Sequence, residues 1–218
     1  MYYRPKIFFP KKTYSMYGED LIIQNFFKKK TKGFYVDIGC YHPLDGSNTF
    51  LLYKKGWNGI NVDLNKISID LFNKARKKDE NFNLAISNKK KKLKIFFRKK
   101  INMLNTSSRK LAKIHFRNGF QEKIVESNTL NSILKGSRFK NKRIDFLNID
   151  TEKSEVDVLQ SLNFNKYKPK LICIEIHLTN KNKKKIPLKK HSTYIYLKKK
   201  KYKKVWNKGY SFIFAPIT

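Results

Sequence analysis

Acids are scarce in this chain. Sixteen Asp and Glu stand against fifty Lys and Arg, for a formal net charge of +34. A surface of that sign attracts polyanions, so a nucleic-acid or anionic-membrane partner is one reading. Arginine, however, is rare among the bases, and recognition of bases and phosphates leans on arginine. The excess is lysine, spread along the whole chain beside abundant Asn and Ile. A bias toward A/T-rich codons accounts for that pattern better. Runs at 89–92, 183–185 and 198–201 then read as solvated loops and helix faces. Cysteine is also scarce. Cys40 and Cys173 both fall in expected strands without paired-ligand spacing, which fits a reduced, cytoplasmic setting. No apolar run approaches the roughly 18 residues of a membrane span. Ile7-Phe8-Phe9, ended by Pro10, is too short for a signal-peptide core, so export is not expected. A P-loop pattern is missing, which argues against an ATPase. Internal repeats are missing too.

What is present is a folded domain. Hydrophobic residues make up 40% of 218, enough for a real core and too many for a disordered chain. The reading is an irregular basic lead-in at 1–14 and one domain over 15–218. Its centre is Phe34-Tyr35-Val36-Asp37-Ile38-Gly39-Cys40-Tyr41-His42-Pro43. An unbroken apolar run suits a strand covered on both faces, and Gly39 lets a ligand or another backbone approach where the strand ends. Asp37 is costly there without donors. A second strand, 59–65, also ends in an acid, Asp63, about where dinucleotide-type folds hold ribose hydroxyls.

Helical spacing of apolar residues marks 21–27, 50–53, 66–77, 129–134, 156–162 and 191–200. Further strands are expected at 83–87, at 93–97 paired back across a lysine-rich turn, at 123–126, 144–150 and 170–177. A closing hairpin covers 203–214, and so short a connection makes its strands antiparallel. Strands and helices alternate through most of the chain. That predicts a three-layer α/β fold with a mostly parallel sheet and an antiparallel edge.

The few acids are not scattered evenly. Asp145, Asp150, Glu152, Glu155 and Asp157 cluster in and just after one strand, and Glu175 and His177 leave the next. Acids favour a helix N-terminus, which accounts for Glu155 and Asp157. Asp150, Glu152 and His177 are less easily explained by folding alone and are candidates for chemistry.

Taken in order, these segments resemble the FkbM-type methyltransferases, a branch of the S-adenosylmethionine-dependent class I methyltransferases. The matching stretches are 15–20, Val36-Asp37-Ile38-Gly39, Ser47-Asn48-Thr49, Gly56-Trp57-Asn58-Gly59-Ile60, 83–87, Thr129-Leu130, 145–155 and Glu175-Ile176-His177. They cover most of 15–178 in the family's order. The resemblance implies a Rossmann-like, seven-stranded, mostly parallel sheet whose last strand is antiparallel. It implies S-adenosylmethionine as cofactor. The turn carrying Asp37, Gly39 and Cys40 would hold the methionine part, Asp63 and Leu64 the ribose, and Asn83, Leu84 and Ala85 the adenine. Glu19 and Asn48 would help close the site.

His177 is then a candidate base, because its ordinary pKa near 6.5 leaves a neutral ring at pH 7. Asp150 and Glu152 are the other catalytic candidates. They could instead hold a divalent ion such as Mg²⁺, although no metal is assigned. His42, Glu155 and Glu175 are acceptor-side candidates. The chain departs from the family pattern at Met16, at Pro43 with Gly46 beyond it, and at Lys153, where the family has Gln, glycine and glycine. Methylation of a sugar or glycan hydroxyl is the first reading. RNA methylation through the basic surface, and a binding module that has kept only the fold, remain alternatives.

Overall fold

The computed structural model describes residues 12–98, 109–116, 119–179 and 184–217. The first half runs α1 (Glu19–Phe26), β1 (Phe34–Ile38), α2 (Phe50–Lys54), β2 (Asn58–Asp63), α3 (Lys66–Ala75), β3 (Glu80–Asn83), β4 (Ala85–Ile86), β5 (Lys91–Phe97) and α4 (Arg109–His115). The second half runs β6 (Gln121–Asn128), α5 (Leu130–Gly136), β7 (Phe146–Ile149), α6 (Glu155–Gln160), α7 (Phe164–Tyr167) and β8 (Leu171–Glu175). It closes with α8 (Ser192–Lys199), β9 (Tyr202–Lys208) and β10 (Ser211–Pro216).

Seven strands form the main sheet in the order β3-β2-β1-β7-β8-β10-β9. The first five are mutually parallel, and β10 lies antiparallel between β8 and β9. The layers follow from the two-residue period of a strand. Phe34, Val36 and Ile38 face one core with Leu147, Ile149, Ile172 and Ile174, where α5, α6, α7 and α8 contribute Leu134, Leu159, Tyr167 and Leu197. Tyr35, Phe146, Leu171 and Cys173 face the other, against Ile23 of α1, Leu52 of α2 and Trp57. Every residue of β1 is buried, as its apolar run demands. Local signals set the helix starts: Thr129 Oγ1 accepts from Ser132 N ahead of α5, and Asn65 Oδ1 accepts from Ile67 N ahead of α3. Caps of this kind contribute about 1 kcal/mol each.

Two expectations change. The strand expected at 83–87 is divided: Glu80–Asn83 pairs with β2 at the sheet edge, while Ala85–Ile86 joins a second, three-stranded sheet ordered β4-β6-β5. Asn83 Nδ2 donates to Asp63 O and the chain turns at Leu84, so one strand cannot continue. Residues 93–97 do not pair back on that segment. They pair antiparallel with β6, Leu93 opposite Val125 and Phe97 opposite Gln121. The short α7 was not expected; Asn163 Oδ1 accepts from Asn165 N and Lys166 N to start it. Most of the lead-in read at 1–14 lies outside the described residues. Among those described, no helix is long and apolar enough to cross a membrane.

Arg76, at the end of α3, fixes the loop that leaves β1. It is fully buried, and its guanidinium donates to Pro43 O at 2.5 and 3.1 Å, to Ser47 Oγ at 2.8 Å, to Thr49 Oγ1 at 2.7 Å and to Tyr35 Oη at 3.2 Å. Only the planar fork of an arginine serves so many acceptors at once. This contact answers the Pro43 departure. A carbonyl held twice by a guanidinium shapes the turn that a second glycine would otherwise shape.

Candidate active site

The carboxyl ends of β1, β2, β7 and β8 open on a cavity of about 550 Å³. It lies at the point where the strand order reverses, between β1 and β7, the usual ligand position in open α/β sheets. Gly39 makes that junction possible. It has φ +77°, and a Cβ there would sit 1.7 Å from Asp150 O. Gly39 N donates to Val62 O, and Asp150 N donates to Ile38 O, so the tips of three strands are tied together.

Asp63 stands on the β2 side of the cavity. Its Oδ2 accepts from Tyr41 N at 2.9 Å and its Oδ1 from Asn65 N at 2.7 Å. Burial raises its pKa, against the lowering effect of those two amides. Leu64, Leu84 and Ala85 continue that wall, and Ile86, Leu93 and Ile95 of the second sheet close it with apolar surface. The opposite end is acidic, lined by Asp150, Glu152, Glu175 and His177. His177 Nε2 lies 3.0 Å from Glu175 Oε2. The pair is badly aligned for a hydrogen bond, and both atoms are buried without another partner among the described residues. They are held by charge and left with unused hydrogen-bonding capacity.

Crowding shapes the ionisation of this end. Asp150 is open to the cavity yet densely surrounded. Loss of water and the neighbouring Glu175 and Glu152 push its carboxyl well above the usual range. Glu152 rises to about 7, mainly by desolvation and then by Glu175, with His177 opposing. His177 is raised by its contact with Glu175.

The methyltransferase FkbM domain model matches residues 37–209, most of the chain. The chain belongs to the FkbM methyltransferase family. A TehB-like SAM-dependent methyltransferase from Corynebacterium glutamicum ATCC 13032 Kitasato is similar at 10% identity, over 93% of this chain and 89% of that one, with a TM-score of 0.46. Comparison with curated proteins gives no match. The chain is an S-adenosylmethionine-dependent methyltransferase of the class I fold.

The cavity fits that cofactor. Its volume lies within the range of small-molecule sites. An acid at the β2 tip can accept hydroxyl hydrogen bonds, since a carboxylate has lone pairs beyond the two that Tyr41 and Asn65 occupy. Apolar walls beyond it suit an aromatic base. Bound, the cofactor supplies a methyl already activated on a sulfonium, whose positive charge the acidic end favours.

The structure brings together Gly39, Asp63, Leu64, Leu84, Ala85, Asp150, Glu152, Glu175 and His177 around the cavity. The other sequence candidates do not line it. Asp37 is buried on the α2 side of the sheet, accepting from Thr49 Oγ1 and Asn148 Nδ2. Cys40 packs with Ile69 and Phe72. Asn48 Nδ2 donates to Asn148 Oδ1, and Asn83 caps the β2 edge. His42 Nδ1 accepts from Leu44 N and Asp45 N, closing its own turn. Glu19 joins Tyr17 N to Ser211 Oγ. Glu155 Oε1 accepts from Lys153 N and from Thr151 N and Oγ1, doing at the start of α6 what the Ser154 side chain does not.

The acid cluster divides as well. Asp145 sits at the far end of β7, bridged to Lys30 and Lys170. Sequence reasoning missed Tyr17, Tyr41, Thr151 and Tyr210, which also line the cavity. Tyrosines in turns carry no periodic signal. For a divalent ion, the described residues whose donor atoms lie mutually within 4.8 Å are Glu152, Glu175 and His177. Asp150 is not one of that group.

Lys153 occupies the family's glycine position at φ +81°. A side chain in that left-handed region costs about 1–2 kcal/mol. Replacement by glycine is therefore expected to stabilise the fold by about 1 kcal/mol after the entropy glycine adds to the unfolded chain. A urea titration reads this as a higher midpoint at constant slope.

Proposed function

We propose that this methyltransferase acts on a hydroxyl of a sugar or glycan, with His177 as general base. The observation that carries the reading is His177 Nε2, buried and poorly partnered 3.0 Å from Glu175 Oε2, at one end of the cavity that Asp63 also lines. A hydroxyl must lose its proton as the methyl arrives; with Nε2–H turned to the Glu175 carboxylate, the other ring nitrogen keeps the lone pair that can take it. Asp150 and Glu152 are placed to accept hydrogen bonds from neighbouring hydroxyls of a polyol. The same acids repel a phosphate-bearing acceptor, which weighs against RNA. Two buried, free cysteines fit a reduced cytoplasmic setting.

Glu175 raises the His177 pKa, so the neutral ring is lost as pH falls through that raised value. Activity should therefore climb with pH across neutrality, with Glu152 ionising near 7 in the same window. In Glu175→Gln the anion that raises both groups is gone, and the acid limb should move to lower pH. A limb that stays in place removes His177 from the role. Acceptor class is tested by tritiated methyl incorporation into a glycan pool and into total RNA. Label entering glycan is the expected result, and label entering RNA alone overturns the proposal.

A further inference from the structure

Tyr210 sits at the tip of the two-residue turn joining β9 and β10 and lines the cavity. Tip residues are ordinarily free to vary, being polar or small and in contact with solvent. This one is aromatic and half-exposed, and its turn is clamped from three sides. Ile176 N donates to Tyr210 O at 2.8 Å, tying the tip to the segment between Glu175 and His177. Gly209, at φ +56°, lies directly beneath the Tyr17 ring, where a Cβ would meet ring carbon at 2.4 Å. Ser211 Oγ donates to Glu19 Oε1 at 2.5 Å, while Glu19 Oε2 accepts from Tyr17 N at 2.7 Å. One buried carboxylate thus ties the Tyr17 turn to the hairpin itself.

The clamped ring lies against His177. Its centroid lies 4.7 Å from that of His177, with the planes 38° apart. The His177–Glu175 contact is poorly aligned and cannot alone set the plane of the imidazole. A ring held against one face can.

We infer that Tyr210 is a positioning residue for His177: the clamped hairpin tip holds the imidazole at the cavity wall with Nε2 turned to Glu175. The inference rests on the reading of His177 as base. It assigns Glu19 to the clamp, where its contacts place it, and gives the β9–β10 hairpin a part in the reaction beyond closing the sheet.

Aromatic ring contacts are worth about 0.5–1.5 kcal/mol, so Tyr210→Ala should slow turnover of a saturating glycan pool by about two- to tenfold. Binding of S-adenosylhomocysteine should stay within about twofold, because Asp63 and the apolar wall are untouched. The ring is half-exposed, so the variant should fold. Tyr210→Phe keeps the ring and should restore the rate.

A separate readout needs no acceptor. His177 is one of four histidines, so its ring protons can be assigned by NMR. In the native protein and in Tyr210→Phe they should carry the ring-current shift of a neighbouring aromatic ring, and in Tyr210→Ala that shift should vanish. An unshifted His177 in the native protein, or a Tyr210→Ala variant with native turnover, overturns the positioning role while leaving His177 as base. A His177→Ala variant with native turnover removes the base itself.

Discussion

Gly39→Ala should leave little folded protein. The added Cβ would lie 1.7 Å from Asp150 O and 2.8 Å from Asp150 C, both backbone atoms. Neither can swing aside, because Asp150 N is held to Ile38 O across the β1–β7 pairing. The φ of +77° adds strain for any L side chain. Relief requires β1 and β7 to separate at the point where the cavity begins. A loss of at least about 4 kcal/mol is expected, in the range reserved for named structural failures. Gly56→Ala is the matched control: its φ is +90°, yet nothing lies within 4 Å of the added carbon. It should cost only the conformational term, about 1–2 kcal/mol. Urea denaturation of the two variants compares them directly. Equal losses would mean that the contact with Asp150 contributes nothing and the backbone angle everything.

Asp63→Ala should weaken binding of S-adenosylhomocysteine by about 100-fold, measured calorimetrically. Hydrogen bonds to a charged group contribute about 1.5–3 kcal/mol, and 1.4 kcal/mol is tenfold in affinity. The carboxylate also holds Tyr41 N and Asn65 N, so its loss loosens the turn after β1 and the start of α3. Asp63→Asn keeps an acceptor and should fall between the native protein and the alanine variant. Its Nδ2 must oppose one of the two amides, so native affinity is not expected. An Asp63→Ala protein that binds within about threefold of native would place the ribose elsewhere.

These two residues show what a single chain of letters carries and what it does not. Asp37 and Asp63 look alike in sequence, each an acid near the end of an apolar strand. Their difference is depth along the sheet: Asp37 pairs in register with Asn61, so Asp63 lies two residues nearer the carboxyl edge. Asp37 shares a face with Tyr35, so it points between the sheet and α2, where Thr49 and Asn148 satisfy it. Asp63 is the last residue of its strand and meets the cavity. Likewise the lining offered by Leu93 and Ile95 depends on a strand pairing with β6, more than 25 residues on, that local pattern does not specify. Arg76 was one of the rare arginines, with no role assigned to it from sequence. Its five contacts come from four different residues, and none of them is adjacent to it in the chain.

The alternation of strands and helices, the buried central strand, the antiparallel closing hairpin and the family all follow from residue order. They rest on periodicity, turn chemistry and ordered short motifs, which are local properties of the chain. Which acids face the cavity, which of them crowd one another, and which tyrosine lies against the histidine were decided only when the sheet assembled. Burial, charge crowding and ring contact arise between segments far apart in the chain, and their strength depends on distances that exist only in the folded molecule.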